Sequence, residues 1–435
     1  MKVLTVNFSD TKGGAARAAY RIHHALRRHG IDSIMCVNNA ETGDWTVNGP
    51  SHDRDRLWSR FRSLVGELPV RLLRTSNQII HSPSILSSAW REKLNKSDAA
   101  IVHLHWVNAE MLSVADIGQL RKPAVWTLHD MWAFCGAEHY ADDFRWRDGY
   151  THCNRPTHES GFDLNRWVWR RKVKHWKHPI HIISPSQWLA DCARQSALVH
   201  DWPISVIPNA IDTDSWRPIK KSVARNILRL PPDVRLIMFG AIGGSMDPRK
   251  GFDLLRQGLM HLAGEEHDLH LLILGQLAPR DPYLVGFPSH FAGHLYDDLS
   301  LCLYYCAADV MVIPSRQENL SNAGVEALAC GTPVVAFNIC GMPDIVQHEH
   351  NGYLARPFDT KDLAYGIRWV LQQQEQDVSS KRELQGEPIP LRSDSQRLTK
   401  QGFTWLSANA RSDALARFSY PVVAERYARL YASIL

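Results

Sequence analysis

Pro314-Ser315-Arg316-Gln317-Glu318-Asn319-Leu320-Ser321-Asn322-Ala323-Gly324-Val325-Glu326-Ala327-Leu328-Ala329-Cys330-Gly331-Thr332-Pro333 is the stretch on which the reading of this chain turns. An apolar run, Val310–Pro314, precedes it and reads as a β-strand. A helix is expected next. Asn319 or Ser321 is placed to cap it, and Gly331 followed by Pro333 ends it. Glu318 then lies just before the helix and Glu326 inside it. If the whole interval were helical, it would rise about 12 Å. That is the reach needed to hold hydroxyl groups at both ends of a nucleotide sugar folded over its diphosphate. The helix entrance between the glutamates, Asn319, Leu320 and Ser321, is a natural seat for phosphate charge.

The chain around this stretch has 435 residues, which suits two domains better than one. It is 44% hydrophobic and 22% charged, as ordinary globular proteins are. No apolar run is long enough to span a bilayer. Met1–Asn7 turns polar too soon for a signal peptide and reads as a first strand. Eight cysteines in this length do not make a disulfide framework, and they fit a reduced cytoplasm. The net charge of +5 says less than its distribution. One basic cluster runs from Arg54 to Arg74, with Trp58, Phe61, Leu64, Val65 and Leu68 as an apolar face. Another, Arg166–Lys177, is interleaved with Trp167, Trp169 and Trp176. Each could lie on an anionic membrane surface, or pack on a core with a solvated basic side. No nucleic-acid motif accompanies them.

Strands and helices alternate through both halves. Val3–Asn7, Ser33–Val37, Ala100–Leu104, Ala124–Leu128 and His181–Ser184 read as strands of the first half. A helix from about Ala15 to Arg28 presents Ala15, Ala18, Ala19, Ile22, Ala25 and Leu26 on one face. The pattern restarts with Arg235–Gly240, Leu269–Leu274, Val310–Pro314 and Val334–Phe337 after a break near 202–218. The expected fold is α/β with a parallel sheet in each half. Residues 372–400 are polar and read as a loop or partly disordered insertion, and 420–435 as a helix.

Ligands of such sheets bind beyond the carboxyl ends of the strands. Gly13-Gly14, His129-Asp130, Arg249-Lys250-Gly251 and Glu318 all follow predicted strands, so they are expected to converge on one cleft. Arg249 and Lys250 offer cations to a diphosphate whose charge grows as it leaves. They follow a loop, Gly243-Gly244-Ser245-Met246-Asp247-Pro248, rich in turn residues. Gly13 and Gly14 let backbone approach a ligand closely, or simply make a tight turn. His129 is either a group of the cleft or a core histidine satisfied by backbone, and His103 and His105 are weaker candidates for the same cleft. Cys135, His139, His152 and Cys153 lack the spacing of a standard zinc site, so no metal is expected.

With these motifs in place, the chain resembles a retaining family 4 glycosyltransferase of the GT-B fold. The resemblance extends over nearly the whole length. It includes Ser184-Pro185-Ser186, Ile207-Pro208-Asn209-Ala210-Ile211-Asp212, Arg249-Lys250-Gly251-Phe252, Gly341-Met342-Pro343-Asp344-Ile345-Val346 and Asn351-Gly352-Tyr353. It implies two Rossmann-like domains facing across a cleft. Residues 1–205 would be an acceptor-binding domain, 206–410 a nucleotide-sugar domain, and 411–435 a helix crossing back to the first. In the family the first glutamate contacts the donor sugar and the second the ribose, roles that fall to Glu318 and Glu326. The Gly13-Gly14 loop would sit at the acceptor and donor phosphate, and His129 would face the reacting sugar. A Gly-Arg pair common in the family reads Gly240-Ala241 here, so Arg249 would replace that arginine or Lys250 would carry the clamp.

The resemblance further implies transfer with retention from a UDP- or GDP-linked sugar, without a bound cofactor or metal. The acceptor would be a saccharide hydroxyl, on a lipid-linked oligosaccharide at the cytoplasmic face of a membrane. The pathway would be capsule, exopolysaccharide or O-antigen assembly. Thr127-Leu128-His129-Asp130-Met131-Trp132 is most similar to colanic-acid-type transferases. The alternatives are a nucleotide-sugar epimerase on the same fold, which would need no acceptor, and a non-catalytic assembly scaffold. A dinucleotide oxidoreductase is disfavoured because no Gly-x-Gly-x-x-Gly follows the first strand.

Overall fold

Short apolar runs separated by helices close into two parallel sheets in the computed structural model of the chain. It describes residues 1–50, 52–240, 247–263, 268–278, 286–295, 297–380 and 404–435. The chain divides into two units. One comprises Met1–Ala210 with Val423–Leu435, the other Ile211–Val422.

The strands of the first unit are β1 (Lys2–Ser9), β2 (Asp32–Asn39), β3 (Val47–Asn48), β4 (Leu73–Arg74), β5 (Ile101–Leu104), β6 (Ala124–Thr127), β7 (Ser160–Gly161), β8 (His181–Ser184) and β9 (Ile204–Val206). Seven of them form one sheet in the order β3-β2-β1-β5-β6-β8-β9, and β4 pairs with β7 apart from it. The paired neighbours in the large sheet run parallel. Val3, Val6, Ile101, Val102, Leu104, Val125, Ile182 and Ile183 are fully buried. That explains why these strands are apolar runs rather than alternating ones. The helix α1 (Gly14–Arg28) buries Ala16, Ala18, Ala19, Ile22, Ala25 and Leu26. The buried face therefore includes Ala16 where the periodicity suggested Ala15.

The second unit repeats the plan with β10 (Arg235–Gly240), β11 (Leu269–Leu274), β12 (Ser289–Gly293), β13 (Val310–Ile313), β14 (Val334–Phe337) and β15 (Gly352–Ala355). Their order is β12-β11-β10-β13-β14-β15. The α/β class with two parallel sheets is thus as the sequence predicts. The edge strands β3, β9, β12 and β15 were not anticipated. Each is short, and β9 and β12 are only half-buried over most of their length, so the apolar signal is weak.

One expectation fails in part. Residues 372–380, read as loop, continue the helix Thr360–Ser380. Val370 and Leu371 anchor its core-facing side just before the polar run begins. The remainder, 381–400, lies outside the described residues.

The chain ends in the helix Tyr420–Ile434. Its Tyr427 hydroxyl meets Thr127 Oγ1 at 3.1 Å, and its Tyr431 hydroxyl meets His103 Nδ1 at 2.7 Å. Both tyrosines are fully buried.

In each sheet the order of strands reverses once, between β1 and β5 and between β10 and β13. Loops leaving the two central strands part there in opposite directions and open a crevice at the carboxyl ends.

Candidate functional site

In the second unit the crevice lies between the segments that follow β10 and β13. The second of these segments runs into the helix Asn322–Ala329, so Glu318 sits in a loop before the helix and Glu326 within it, as the sequence predicts. Only the last part of their separation is helical. Ser321 occupies the cap position, but its side chain makes no capping bond.

The segment after β10 carries the cations. Pro248–Lys250 forms one turn of 3-10 helix, capped by Asp247, whose carboxylate accepts from Arg249 N at 2.9 Å. Gly251 follows with φ of +68°, and a Cβ there would stand 2.0 Å from the carbonyl oxygen of Pro314. Only glycine lets the two loops approach this closely. Further bonds stitch them together. Arg316 N donates to Arg249 O at 2.8 Å, and the Arg316 guanidinium grips Asp253 with bonds of 2.7 and 2.6 Å. Ala241 and Gly243–Met246 lie outside the described residues, so the loop reading made for them does too.

This stitching brings Lys250, Arg249 and Glu318 together. Lys250 Nζ lies 2.5 Å from Glu318 Oε2, and Arg249 Nη1 is 3.7 Å from the same oxygen. Arg249 also donates to Gln317 O at 3.0 Å, and Ser315 Oγ reaches Glu318 at 3.4 Å. Gly341 N holds the Glu318 carbonyl at 3.1 Å. Burial pushes the Glu318 carboxyl up, but the Lys250 and Arg249 charges outweigh it and hold the group below its ordinary value. It is therefore an ionised carboxylate facing two cations. The arrangement suits an anionic ligand that takes over the cations while the carboxylate accepts from a hydroxyl.

Glu326 is placed differently. It is buried, and its carboxylate accepts from the Tyr305 hydroxyl at 3.0 Å. Tyr305 comes from the helix Asp298–Ala307, so no local spacing could have announced it. Asn319, Leu320 and Ser321 are all buried at the helix entrance. Ser315, Asp247 and the Arg316–Asp253 pair were likewise not singled out. Each becomes visible only once the two loops are side by side.

In the first unit, the strand ends carry glycines, a histidine that burial keeps neutral, and the carboxylate of Asp130. Gly13, with φ of +91°, starts α1 after β1, and nothing stands within 4 Å of where its Cβ would be. Gly14 is the first residue of that helix and is exposed. His129 follows β6, and its Nε2 lies 3.0 Å from His105 Nδ1. Burial lowers His129 to about 4 and His103 to about 3, so both are uncharged near neutrality. His103 is a core residue, joining Thr127 Oγ1 at 2.7 Å as well as Tyr431. Asp130 accepts from Trp106 Nε1 at 3.1 Å and pairs with His139 at 2.6 Å.

The other singled-out groups separate. His139 also meets Ser82 Oγ, His152 meets Arg166, and Cys153 is exposed, so these residues and Cys135 are not gathered. In the Arg166–Lys177 stretch, Lys172 is fully buried. Its ammonium bonds the carbonyls of Trp132, Cys135 and Gly136 and lies 3.8 Å above the Trp132 ring. Trp176 is buried too. This helix packs on the core.

The other basic stretch does the reverse. The helix α2 (Asp53–Arg71) turns Arg62 and Gly66 inward. Arg62 donates to Leu86 O at 2.5 Å. A Cβ on Gly66 would meet Glu110 Cγ at 2.4 Å. Leu57, Trp58, Phe61, Leu64 and Leu68 are 50–71% exposed. No described helix is long and apolar enough to cross a membrane.

Two doubly wound α/β units are the plan of the GT-B fold. Solved structures agree. Sucrose-phosphate synthase from Thermosynechococcus elongatus superposes with a TM-score of 0.65 at 18% identity, covering 100% of this chain and 99% of that one. Anabaena HepE in complex with UDP-glucose gives 0.60 at 16% identity, covering 100% of both chains. WaaG, a glycosyltransferase involved in lipopolysaccharide biosynthesis, gives 0.58 at 14% identity, covering 99% of both.

Sequence comparison points the same way. Residues 12–215 match the model described as Glycosyltransferase Family 4, and residues 235–373 match Glycosyl transferases group 1. Taken together these matches span most of the chain, which over that length is similar to glycosyltransferases of family 4 and of group 1. Among curated relatives, D-inositol 3-phosphate glycosyltransferase 2 of Catenulispora acidiphila is 30% identical over 183 residues, covering 39% of this chain and 42% of that protein. The D-inositol 3-phosphate glycosyltransferase of Xylanimonas cellulosilytica is 34% identical over 179 residues, covering 36% of this chain and 40% of that one. The chain thus spans less than half the length of these curated relatives.

Proposed function

We propose that the protein moves a sugar from a nucleotide-sugar donor to a saccharide hydroxyl, with retention and without a bound metal. The observation that carries this reading is the Lys250–Glu318–Arg249 cluster at the switch point of the second sheet. A diphosphate would take Lys250 and Arg249 as counter-charges, with the N-terminus of the helix Asn322–Ala329 adding its dipole. Glu318 would then accept from a donor-sugar hydroxyl. In this reading Glu326 takes the ribose, and its bond to Tyr305 positions it. Asn319, Leu320 and Ser321 would border the nucleotide, and Gly13 and Gly14 would let backbone approach its phosphates. His129, neutral and hydrogen-bonded to His105, would meet a sugar hydroxyl. The leaving phosphate can take the acceptor proton, so no carboxylate base is needed. HepE, a GT-B neighbour, is described with UDP-glucose bound, which favours a uridine donor as the first to test.

The acceptor in this reading is lipid-linked, as in colanic-acid or other exopolysaccharide assembly, and the protein works peripherally at the cytoplasmic face of a membrane. Helix α2 supports it. Its outward stripe of Leu57, Trp58, Phe61, Leu64 and Leu68 is flanked by exposed Arg54, Arg56, Arg60, Arg71 and Arg74. Apolar side chains framed by cations suit the interface of an anionic bilayer.

Calorimetric titration with UDP, GDP and their sugars tests the donor site. One nucleotide should bind selectively. Lys250→Ala should weaken it by roughly 10- to 100-fold, the value of a charge-assisted contact. Unchanged affinity in a folded Lys250→Ala protein would remove the phosphate role from this site.

A further inference from the structure

Behind the helix that carries Glu326, three cysteines meet. Cys302 and Cys306 lie one turn apart on the helix Asp298–Ala307, and Cys330 follows the last turn of the helix Asn322–Ala329. All three are buried, between 1% and 5% exposed. Their sulfurs lie within 4.8 Å of one another, and Cys302 Sγ and Cys330 Sγ are 3.6 Å apart. A thiophilic ion with metal–sulfur bonds of about 2.3 Å needs trigonal sulfurs about 4.0 Å apart, or tetrahedral ones about 3.8 Å apart. The 3.6 Å pair and the 4.8 Å limit on all three separations lie close to both values.

Backbone groups of the 217–219 segment reach the sulfurs. The backbone N–H of Ile219 donates to Cys306 Sγ at 3.4 Å. The Arg217 carbonyl stands 3.5 Å from Cys302 Sγ and 3.6 Å from Cys306 Sγ, where it could serve as a further oxygen donor. Arg411, buried and bonded to the carbonyls of Trp216, Ala329 and Thr213, brings a positive charge to the segments that carry the cluster.

We propose that Cys302, Cys306 and Cys330 form a structural site for one thiophilic d10 metal ion. Binding forms three metal–sulfur bonds and releases three thiol protons to solvent. With a divalent ion the product carries one net negative charge, which Arg411 faces. The ion would fasten the helix Asp298–Ala307, the 217–219 segment and the C-terminal end of the helix Asn322–Ala329 to one another. The Glu318 loop enters the other end of that last helix. The site takes no part in sugar transfer, and the proposal stands whether or not the transferase reading does.

Cadmium is the probe. The reduced, full-length protein is titrated with Cd2+ under anaerobic conditions while the sulfur-to-cadmium charge-transfer band is followed. One Cd2+ per chain should bind and raise the melting temperature by about 5 °C or more at saturation. Cys306→Ala and Cys330→Ala should each weaken binding at least ~10-fold, while Cys153→Ala, at an exposed thiol, should leave it unchanged. X-ray absorption on the wild-type complex should count three sulfurs around the ion, which decides the matter even if a variant fails to fold. No charge-transfer band, a shell of oxygen and nitrogen, or a Cys302–Cys330 disulfide persisting in reductant would each overturn the site.

Discussion

The two switch-point crevices are built on the same sheet plan and filled with opposite chemistry. In the second unit the loops present charge: Lys250 and Arg249 against Glu318. In the first they present glycine backbone and a histidine, His129, that burial keeps neutral, and the carboxylate beside it, Asp130, is already taken by His139 and Trp106. The comparison teaches that a doubly wound sheet supplies a place and not a chemistry. Charge suits a phosphate-bearing ligand, and neutral hydrogen-bonding groups suit sugar hydroxyls.

The largest effect is expected where the charges are. Glu318→Ala should lower transfer by roughly 10²- to 10³-fold, the scale of a lost electrostatic partner in a reacting site. Far-ultraviolet circular dichroism should stay native. A folded Glu318→Ala protein with full transfer activity would erase the distinction between the two crevices.

Acid should separate the units next. A histidine whose folded value lies below its unfolded one takes up a proton on unfolding, so acid favours the unfolded state between the two values. His103, at about 3, and His129, at about 4, both start from 6.5, so the first unit should weaken as pH falls below about 6.5. Each such histidine contributes about 1.4 kcal/mol per pH unit inside its window. Glu318 behaves oppositely. Its folded value is depressed below 4.5, so its contribution is intact above that pH and is lost only below it. Hydrogen exchange, corrected for its intrinsic pH dependence, should show β5 and β6 losing protection between pH 6.5 and 4.5 while β13 keeps its own. Unchanged protection of β5 and β6 over that range would mean that His103 and His129 are not held neutral.

A second contrast within the first unit predicts the smallest effect. Helix α2 and the helix Leu164–His175 are both rich in arginine and carry aromatic residues. The latter buries Leu164, Val168 and Lys172, and Arg171 lies over the Trp167 ring and reaches the carbonyls of Ser84 and Ile85. Helix α2 instead turns its apolar stripe outward. Trp58→Ser with Phe61→Ser should therefore reduce partitioning to anionic vesicles by about tenfold. Neutralising the exposed Arg170, Lys174 and Lys177 should reduce it less. If the two sets weaken binding equally, exposure of the α2 stripe is not what directs the protein to a surface.

Much of this molecule was legible in its residues because the signals are local. Apolar runs of strand length marked β1, β2, β5, β6, β8, β10, β11, β13 and β14. Gly251 and Glu318 stood out through turn chemistry and spacing. What spacing cannot carry is contact between distant segments. The pairing of Lys250 with Glu318, the bond from Tyr305 to Glu326 and the meeting of Cys302 with Cys330 depend on which loops and helices the sheet order places side by side.

By itself the sequence determined the α/β class, the alternation that makes two parallel sheets, and the residue types that cluster at strand ends. These follow from hydrophobic period and backbone preference, which act over a few residues. Tertiary structure alone decided which basic, aromatic helix is core and which is surface, because their compositions are alike. It also decided which carboxylate faces cations and which faces a tyrosine. Burial and partner charge set those outcomes, and both are properties of neighbours that the chain brings together only when folded.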